Sequence, residues 1–354
     1  MASNLFYKDK QVIGLDINQT GLKVMSIDPK KWLVEGYGSI DVDPAKMQKA
    51  LEKPEEDNSY ISDNINILLK EKIIGDLSSN HVVIGVPTNR TFSRTFTLPV
   101  KQEKNLAAAV EMEVSQYIPI PIEALYVSYD IIDRNKDSLE IIMAAVPKNL
   151  VDSCLDGVKL AGLRPIAVEP SINAVARILE ATEEAHLSSL IIDIGQANTD
   201  IAVHDKGAIR VSGGVGIGGN TFTIDIAKKL NIALDNAHQL KVINGLLPSP
   251  KQDKITKAMA PNLLRVATEI RKVIRYYNER IENASKIEQA LVVGAGSNVP
   301  GIGEFFTNEL VMPVRVASPW LKLDFGKLEA PHKQFRSRFI GVAGLASIDY
   351  RKLW

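Results

Sequence analysis

Apolar positions along the chain fall into short runs bounded by polar turns, and the spacing of those runs shifts along its length. "QVIGLDINQ", "GLKVMSID" and "KWLVEGYGSIDV" read as strands, with "NQTG" supplying turn chemistry between the first two. After a polar stretch, Ile61, Ile65, Leu68 and Leu69 recur at helical spacing. "HVVIGVP" is a continuous apolar run, which predicts a strand buried on both faces. "TFSRTFTLPV" predicts a strand closing at Pro99, and "KQEKNLAAAVEMEVSQY" a helix with Leu106, Val110 and Val114 on one face. In "IPIPIEALYVSYDIIDR", Pro119 and Pro121 exclude helix and set an extended entry into "YVSYDII". A hairpin turn "RNKD" leads to the strand "SLEIIMAAVP". The helix "KNLVDSCLDGVKLAGL", stopped by Gly162, and the strand "RPIAVEP" follow.

The second half opens on the helix "SINAVARILEAT" and then repeats an earlier phrase. "IIDIGQANTDIAV" at 191–203 matches "IGLDINQTGLKVM" at 13–25: apolar run, Asp, one apolar residue, polar turn, apolar run. A strand meander through "HDKG", a helix in "NTFTIDIAKKL", a long helix in "APNLLRVATEIRKVIRYYNERIEN" and a strand "QALVVGAG" complete the pattern, before a helix-and-strand tail. Each half therefore begins with antiparallel strands and continues with αβ material. A repeat this long indicates a duplicated domain rather than a solenoid.

Composition narrows the function classes. The chain has 354 residues, 45% hydrophobic and 24% charged, with 42 Lys+Arg against 42 Asp+Glu. A formal charge of zero supplies no global field toward nucleic acid or an anionic membrane. The single cysteine, Cys154, excludes an internal disulfide framework and reads as buried filler, and the five His form no ligand spacing. "MASNLFYKDK" lacks the apolar core of a signal peptide, and no apolar run reaches the ~20 residues that span a bilayer. The expectation is a cytoplasmic protein without nucleic-acid partners and without a direct membrane span.

Two facing Asp-bearing hairpins suggest polyphosphate chemistry. A tight turn rich in Gly, Asn, Gln and Thr aims backbone N–H groups one way and makes an anion nest. The strand-end Asp can hold Mg²⁺ through waters. The first copy offers Asp16, Asn18, Gln19, Thr20, Gly21 and Lys23. The second offers Asp193, Gly195, Gln196, Ala197, Asn198 and Thr199. A glycine run, "SGGVGIGGNTF", contains G-x-G-x-x-G at Gly214, Gly216 and Gly219. The preceding meander argues against a dinucleotide site, but Gly218, Gly219 and Asn220 open a helix whose N–H groups suit a phosphate. In "LVVGAGSNVPGIGEF", Gly294, Gly296, Ser297 and Asn298 allow close backbone approach to a flat ligand. No G-x-x-x-x-G-K-[ST] occurs, which excludes a P-loop.

In this order the elements resemble the sugar kinase, Hsp70 and actin nucleotide-binding proteins. The resemblance implies an α/β, duplicated actin/Hsp70-like ATPase fold of two RNase H-like lobes, with ATP and Mg²⁺ between them. It places Glu169, in "RPIAVEPSINAVAR", near the γ-phosphate as the catalytic candidate, and Glu269 and Lys272 beside the adenine. The stretch "FTLPVKQEKNLAAAVEMEVSQYIPIPIEALYVSYDIID" resembles the insertion subdomain of the PilM branch, relatives of the division protein FtsA. Expected divisions are 1–93 for the N-terminal part of the first lobe, 94–166 for the insertion and 167–354 for the connecting helix and second lobe. The PilM resemblance implies a scaffold of type IV pilus assembly that captures the cytoplasmic N-terminal peptide of a PilN-like inner-membrane protein and links it to the assembly motor. It leaves a homo-oligomer open. The implied peptide groove lies between the first subdomain and the insertion, around Tyr117, Ile118, Pro119 and Tyr129. Asn18 stands where the family usually has Gly, and Glu169 where actin uses Gln, so ATP binding is better supported than turnover. "GLASIDYRKLW" lacks the membrane-binding helix of FtsA. A small-molecule kinase of the same fold and an FtsA-like division or filament protein are the alternatives; for a kinase, no carboxylate base can be assigned.

Overall fold

The computed structural model describes residues 11–53, 59–183, 187–248, 252–281 and 283–349. Chain order runs β1 (Ile13–Asn18), β2 (Gly21–Asp28), β3 (Leu33–Asp41), α1 (Pro44–Glu52), α2 (Tyr60–Glu71), β4 (Ile73–Gly75), β5 (His81–Val86), β6 (Phe92–Pro99), α3 (Leu106–Tyr117), β7 (Leu125–Arg134), β8 (Ser138–Pro147), α4 (Lys148–Leu160), β9 (Arg164–Pro170) and α5 (Ser171–Thr182). It continues through β10 (Ser189–Ile194), β11 (Thr199–Asp205), β12 (Ala208–Val215), α6 (Gly219–Leu230), α7 (Leu234–Ile243), α8 (Gln252–Arg280), β13 (Gln289–Val293), α9 (Ile302–Leu310), β14 (Val314–Val316), α10 (Lys333–Arg336) and α11 (Ile340–Ala346).

The repeat in sequence is a repeat in space. The first sheet has the order β4-β3-β2-β1-β5-β9, an antiparallel meander with β5 and β9 added parallel to β1. The second has the order β14-β13-β10-β11-β12-β6-β8-β7; its β10–β11–β12 meander is likewise flanked by parallel β13 and β14. The apolar runs in β1 and β10 are buried almost throughout because both faces of each sheet are covered. Between the sheets lie α5 and α11. Their Val175, Ile178, Val342 and Leu345 pack in one core with Met25 and Val83 of the first sheet and Ile191 and Val293 of the second. These two helices touch because the contact carries no side chain: a Cβ on Gly344 would lie 1.9 Å from the Ala174 carbonyl oxygen.

Outer helices complete each layer. Helices α1, α2 and α4 cover the first sheet through Met47, Ile65, Leu150 and Cys154. Burial pushes the Cys154 thiol up to about 12, so it is the inert filler expected of it. Helices α6 and α8 cover the second sheet through Phe222, Ile226, Val266 and Ile270. The β6–α3–β7–β8 unit has its own core, with Leu98, Val110, Val114, Leu139 and Ile141 buried together. It joins the second sheet's edge through β12 and β6. Residues 148–166, grouped with the insertion in the sequence, pack instead with the first sheet: α4 lies on its core and β9 is its last strand. Helix α8 begins at Gln252, so Pro261, expected near its start, lies inside it. Burial of Ile255, Ala258 and Met259 holds the extra turns against the second sheet's core despite the proline. Between Pro121 and β7 the expected extended path takes one 3₁₀ turn at Ile122–Ala124.

Candidate functional site

The two repeated hairpins end side by side at the mouth of a cleft between the sheets. Asp16, Asn18, Thr20 and Lys23 line it from β1–β2, and Asp193, Gly195, Gln196 and Asn198 from β10–β11. The registers are equivalent: Asp16 pairs across its hairpin with Lys23, and Asp193 pairs with Asp200. The same position thus carries a cation in one copy and a third carboxylate in the other. Asp200 was not singled out in the sequence, although counting seven residues on from each repeated Asp finds it beside Lys23.

Asp16 is held by three donors. Lys23 Nζ and Asn18 Nδ2 donate to its Oδ2 at 2.6 and 3.0 Å, and Ser171 Oγ, from the start of α5, donates to Oδ1 at 3.0 Å. Asp200 accepts from Asn198 Nδ2 at 2.8 Å, but burial dominates at both Asp193 and Asp200. Burial, followed by the nearby charge of Asp16, raises the Asp193 carboxyl to about 6 despite the opposing pull of Lys23. Burial, followed by the charge of Asp193, raises Asp200 to about 8 despite hydrogen bonds from Asn198 and Thr88. Carboxylates pressed together in this way favour a cation among them. Among the described residues no cluster of three metal-ligating side chains converges on one point. The carboxylates that line the cleft, Asp16, Asp193 and Asp200, are of the kind that hold Mg²⁺ through waters.

The turns depart from the expected anion nests. In the first, Asn18 Oδ1 accepts from the backbone N–H of Thr20 and Gly21 at 3.0 and 3.1 Å, so the side chain fills the nest. In the second, Gly195 N–H donates to the Asn198 carbonyl at 2.8 Å. The expected helix N-terminus is also engaged: Gly219 and Asn220 donate their N–H groups to the Gly195 and Gln196 carbonyls, both at 2.9 Å. A Cβ on Gly218 would lie 2.7 Å from the Gln196 oxygen. The glycine run thus seats α6 on the second turn, rather than presenting free N–H groups.

Several expected residues serve the scaffold around the cleft. Gly294, at φ +81°, lies under the Asp193 carboxylate, where a Cβ would come within 2.1 Å of Oδ1. Gly296 faces the Ile194 side chain in the same way. Both glycines let β13 close on the second hairpin; only Gly294 lines the cleft. Ser297 is buried and donates to the Gly294 carbonyl at 2.7 Å. Thr199 is fully buried and donates to the Ile217 carbonyl at 2.7 Å. Gln19 turns to Gln48 on α1, 3.0 Å away. Ala197 completes the Gly195–Asn198 loop between β10 and β11. Asn298 holds the segment before α11, donating to the Gln334 carbonyl and Ser337 Oγ at 2.6 and 2.9 Å.

Three expectations are corrected by the geometry. Glu169 does not face the cleft: both carboxylate oxygens accept from Arg177, at 2.8 and 2.6 Å, and Arg177 also donates to the Gly344 carbonyl. Ser171, two residues on, takes the cleft position. Glu269 and Lys272 pair with each other at 2.7 Å on α8, and Lys272 lines a different groove. In their place the cleft continues into a cavity lined by Gln196, Gly219, Asn220, Asn298, His238 and Lys241. Lys241, on α7, is buried, donates to the Gly219 carbonyl at 2.7 Å and Thr223 Oγ1 at 2.8 Å, and is lowered to about 8 by burial. No motif marks α7 in the sequence; only a lysine on an otherwise inward helix face hints at it. Arg338 lines both cavities.

Of the peptide-groove candidates, Tyr117 and Ile118 line a groove of about 510 Å³ with Arg94, Met143, Val211, Gly213 and Tyr276. Pro119 is exposed at the end of α3, and Tyr129 is exposed on β7; neither lines it. The groove lies between the insertion and the second sheet, with Thr88 and Asn89 of the first lobe at its edge.

A model of the family described as type IV pilus assembly protein PilM matches residues 14–347. The cell division protein FtsA of Neisseria meningitidis serogroup B is 26% identical over 173 residues, 44% of this chain and 41% of that protein. The chain thus spans under half the length of that curated relative. The structure titled PilM-PilN type IV pilus biogenesis complex superposes with a TM-score of 0.78 at 21% identity, covering 95% of this chain and 97% of that one. MreB5 of Spiroplasma citri bound to AMPPNP superposes at 0.54 with 13% identity, covering 98% of each. These likenesses carry the fold, a duplicated actin-like architecture of two lobes with an added subdomain. With the family model matching nearly its whole length, the chain belongs to the PilM family of type IV pilus assembly proteins.

Proposed function

We propose that this chain is an ATP-binding scaffold that holds Mg²⁺–ATP between its lobes and captures the cytoplasmic N-terminal segment of a PilN-like inner-membrane protein. The observation that carries the nucleotide half is that Asp16, Asp193 and Asp200, with Lys23, line one cleft at the ends of two equivalent hairpins. Bound Mg²⁺ would neutralise phosphate charge, with Asp16, Asp193 and Asp200 orienting its waters. Lys23 and Arg338 supply positive charge to the triphosphate, and the His238–Lys241 cavity adjoins it for the nucleoside. The fold is shared with MreB5 of Spiroplasma citri bound to AMPPNP. Glu169 is tied to Arg177, which supports a holding role over rapid turnover.

The partner half rests on family membership and on the groove beside Tyr117 and Ile118. Among the described residues no helix is long and apolar enough to cross a membrane. The partner would therefore bring this chain to the inner face of the cytoplasmic membrane and connect it to the assembly motor. We assign the first lobe to the β1–β5 and α4–β9 elements, the partner-facing insertion to β6–β8, and the nucleoside half to the elements from β10 onward. Calorimetric titration with the partner's N-terminal cytoplasmic peptide should show saturable one-to-one binding. Absence of heat at millimolar peptide would contradict the reading.

A further inference from the structure

The carboxylate cleft and the cavity beside it have an order. Gln196, Ala295 and Arg338 line both, so they form the passage from one to the other. His238 and Lys241 lie on the cavity side alone. Asp16, Asn18, Thr20 and Lys23 lie on the cleft side alone. For a nucleotide with its nucleoside in the cavity, Gln196 and Arg338 flank the inner phosphates, and the first hairpin meets the outermost one.

Hydrogen-bond donors are free at one end of that path and taken at the other. At the passage, the Arg338 guanidinium makes no hydrogen bond among the described residues, although its side chain is only 20% exposed and Asp41 stands 3.9 Å away. The Gln196 backbone N–H and side-chain amide also donate to nothing among the described residues. Donors withdrawn from water without an acceptor favour an anion, and a guanidinium matches phosphate oxygens well. At the far end one atom consumes the hairpin's donors. Asn18 Oδ1 accepts from the Thr20 N–H and Thr20 Oγ1, both at 3.0 Å, and from the Gly21 N–H at 3.1 Å. Lys23 Nζ is already engaged by Asp16 Oδ2 at 2.6 Å. A third phosphate gains these hairpin donors only by displacing the Asn18 side chain, which exchanges hydrogen bonds already made for new ones and returns little. The carboxylates of Asp16, Asp193 and Asp200 in the same cleft oppose the added negative charge.

We infer that the cleft recognises a nucleoside diphosphate without selecting for a third phosphate, and that Asn18 is the residue that withholds the selection. This rests on the reading that the cleft holds a nucleotide, and adds which nucleotides it accepts. The test is calorimetric titration of ADP and ATP into the full chain, Asn18→Gly and Asn18→Ala. Saturating Mg²⁺ accompanies both nucleotides, so the comparison reads the protein's own donors. AMPPNP in place of ATP excludes hydrolysis during the titration. Far-UV circular dichroism and thermal unfolding check each variant, and Asn18→Ala, which keeps a Cβ on the turn, serves if Asn18→Gly does not fold. In the parent, ATP and AMPPNP should bind no more than about threefold more tightly than ADP. In the variants both triphosphates should gain about tenfold, while ADP moves by less than about threefold. A stronger triphosphate preference in the parent, or a triphosphate-to-diphosphate ratio in the variants equal to the parent's, overturns this inference while leaving nucleotide binding standing. Failure of both nucleotides to bind the parent overturns both.

Discussion

Asn18 shows how one side chain alters a binding turn. Its Oδ1 takes the Thr20 and Gly21 N–H groups that a phosphate would otherwise receive, while its Nδ2 donates to Asp16. Asn18→Gly frees those amides, so ATP should bind about tenfold more tightly in calorimetry, the effect of one or two added hydrogen bonds. Unchanged or weaker affinity would show that the amides do not contact the nucleotide. Asp200 has a pH signature. Its folded-state carboxyl is raised to about 8, against ~4 for an unfolded Asp. The folded chain therefore holds the extra proton between those limits, and stability without nucleotide falls as pH rises through that window. Asp200→Asn keeps an oxygen for Asn198 and removes the charge. The variant should melt higher than the parent at pH 8 and differ least near pH 4, by differential scanning fluorimetry. The Asp turns were legible in the sequence because duplication wrote them twice. Asn18's plug and Glu169's engagement with Arg177 were not, because each depends on where a side chain turns, and pattern alone does not set that.

At the scale of elements, apolar periodicity located the strands and helices well, since burial on one or both faces imposes it. It misjudged the start of α8, where tertiary burial of Ile255 and Met259 outweighs Pro261. The family resemblance, not periodicity, pointed to Glu269 and Lys272 on α8, and there they pair with each other. Periodicity also could not show that β6 would join β12, a pairing between residues far apart in the chain. The α5–α11 crossing is where elements join the lobes. Gly344→Ala would force a Cβ to 1.9 Å from the Ala174 oxygen, whereas the nearest atom to a Cβ on Gly341 is Val175 Cγ2 at 3.7 Å. Urea unfolding should show Gly344→Ala destabilised by about 3 kcal/mol or more, and Gly341→Ala within about 1 kcal/mol of the parent. Similar values for the two would mean that the crossing is loose.

For the whole molecule, the duplicated meanders matter because they point two equivalent turns at one another across α5 and α11. The first hairpin brings a neutralised carboxylate, Asp16 with Lys23; the second brings Asp193 and Asp200, both under-compensated. A magnesium-bound triphosphate, as proposed, would supply positive charge to the second hairpin and negative charge to Lys23 and Arg338. The insertion, meanwhile, extends the second sheet and borders a second groove, lined by Thr88 and Gly214, which both approach Asp200 of the cleft. The most direct test is calorimetric titration of ATP, with and without Mg²⁺, into the parent chain and Asp193→Ala. Binding should require Mg²⁺ in the parent and be lost in the variant, with circular dichroism unchanged. Equal ATP affinity in both proteins, irrespective of Mg²⁺, would contradict the clasp.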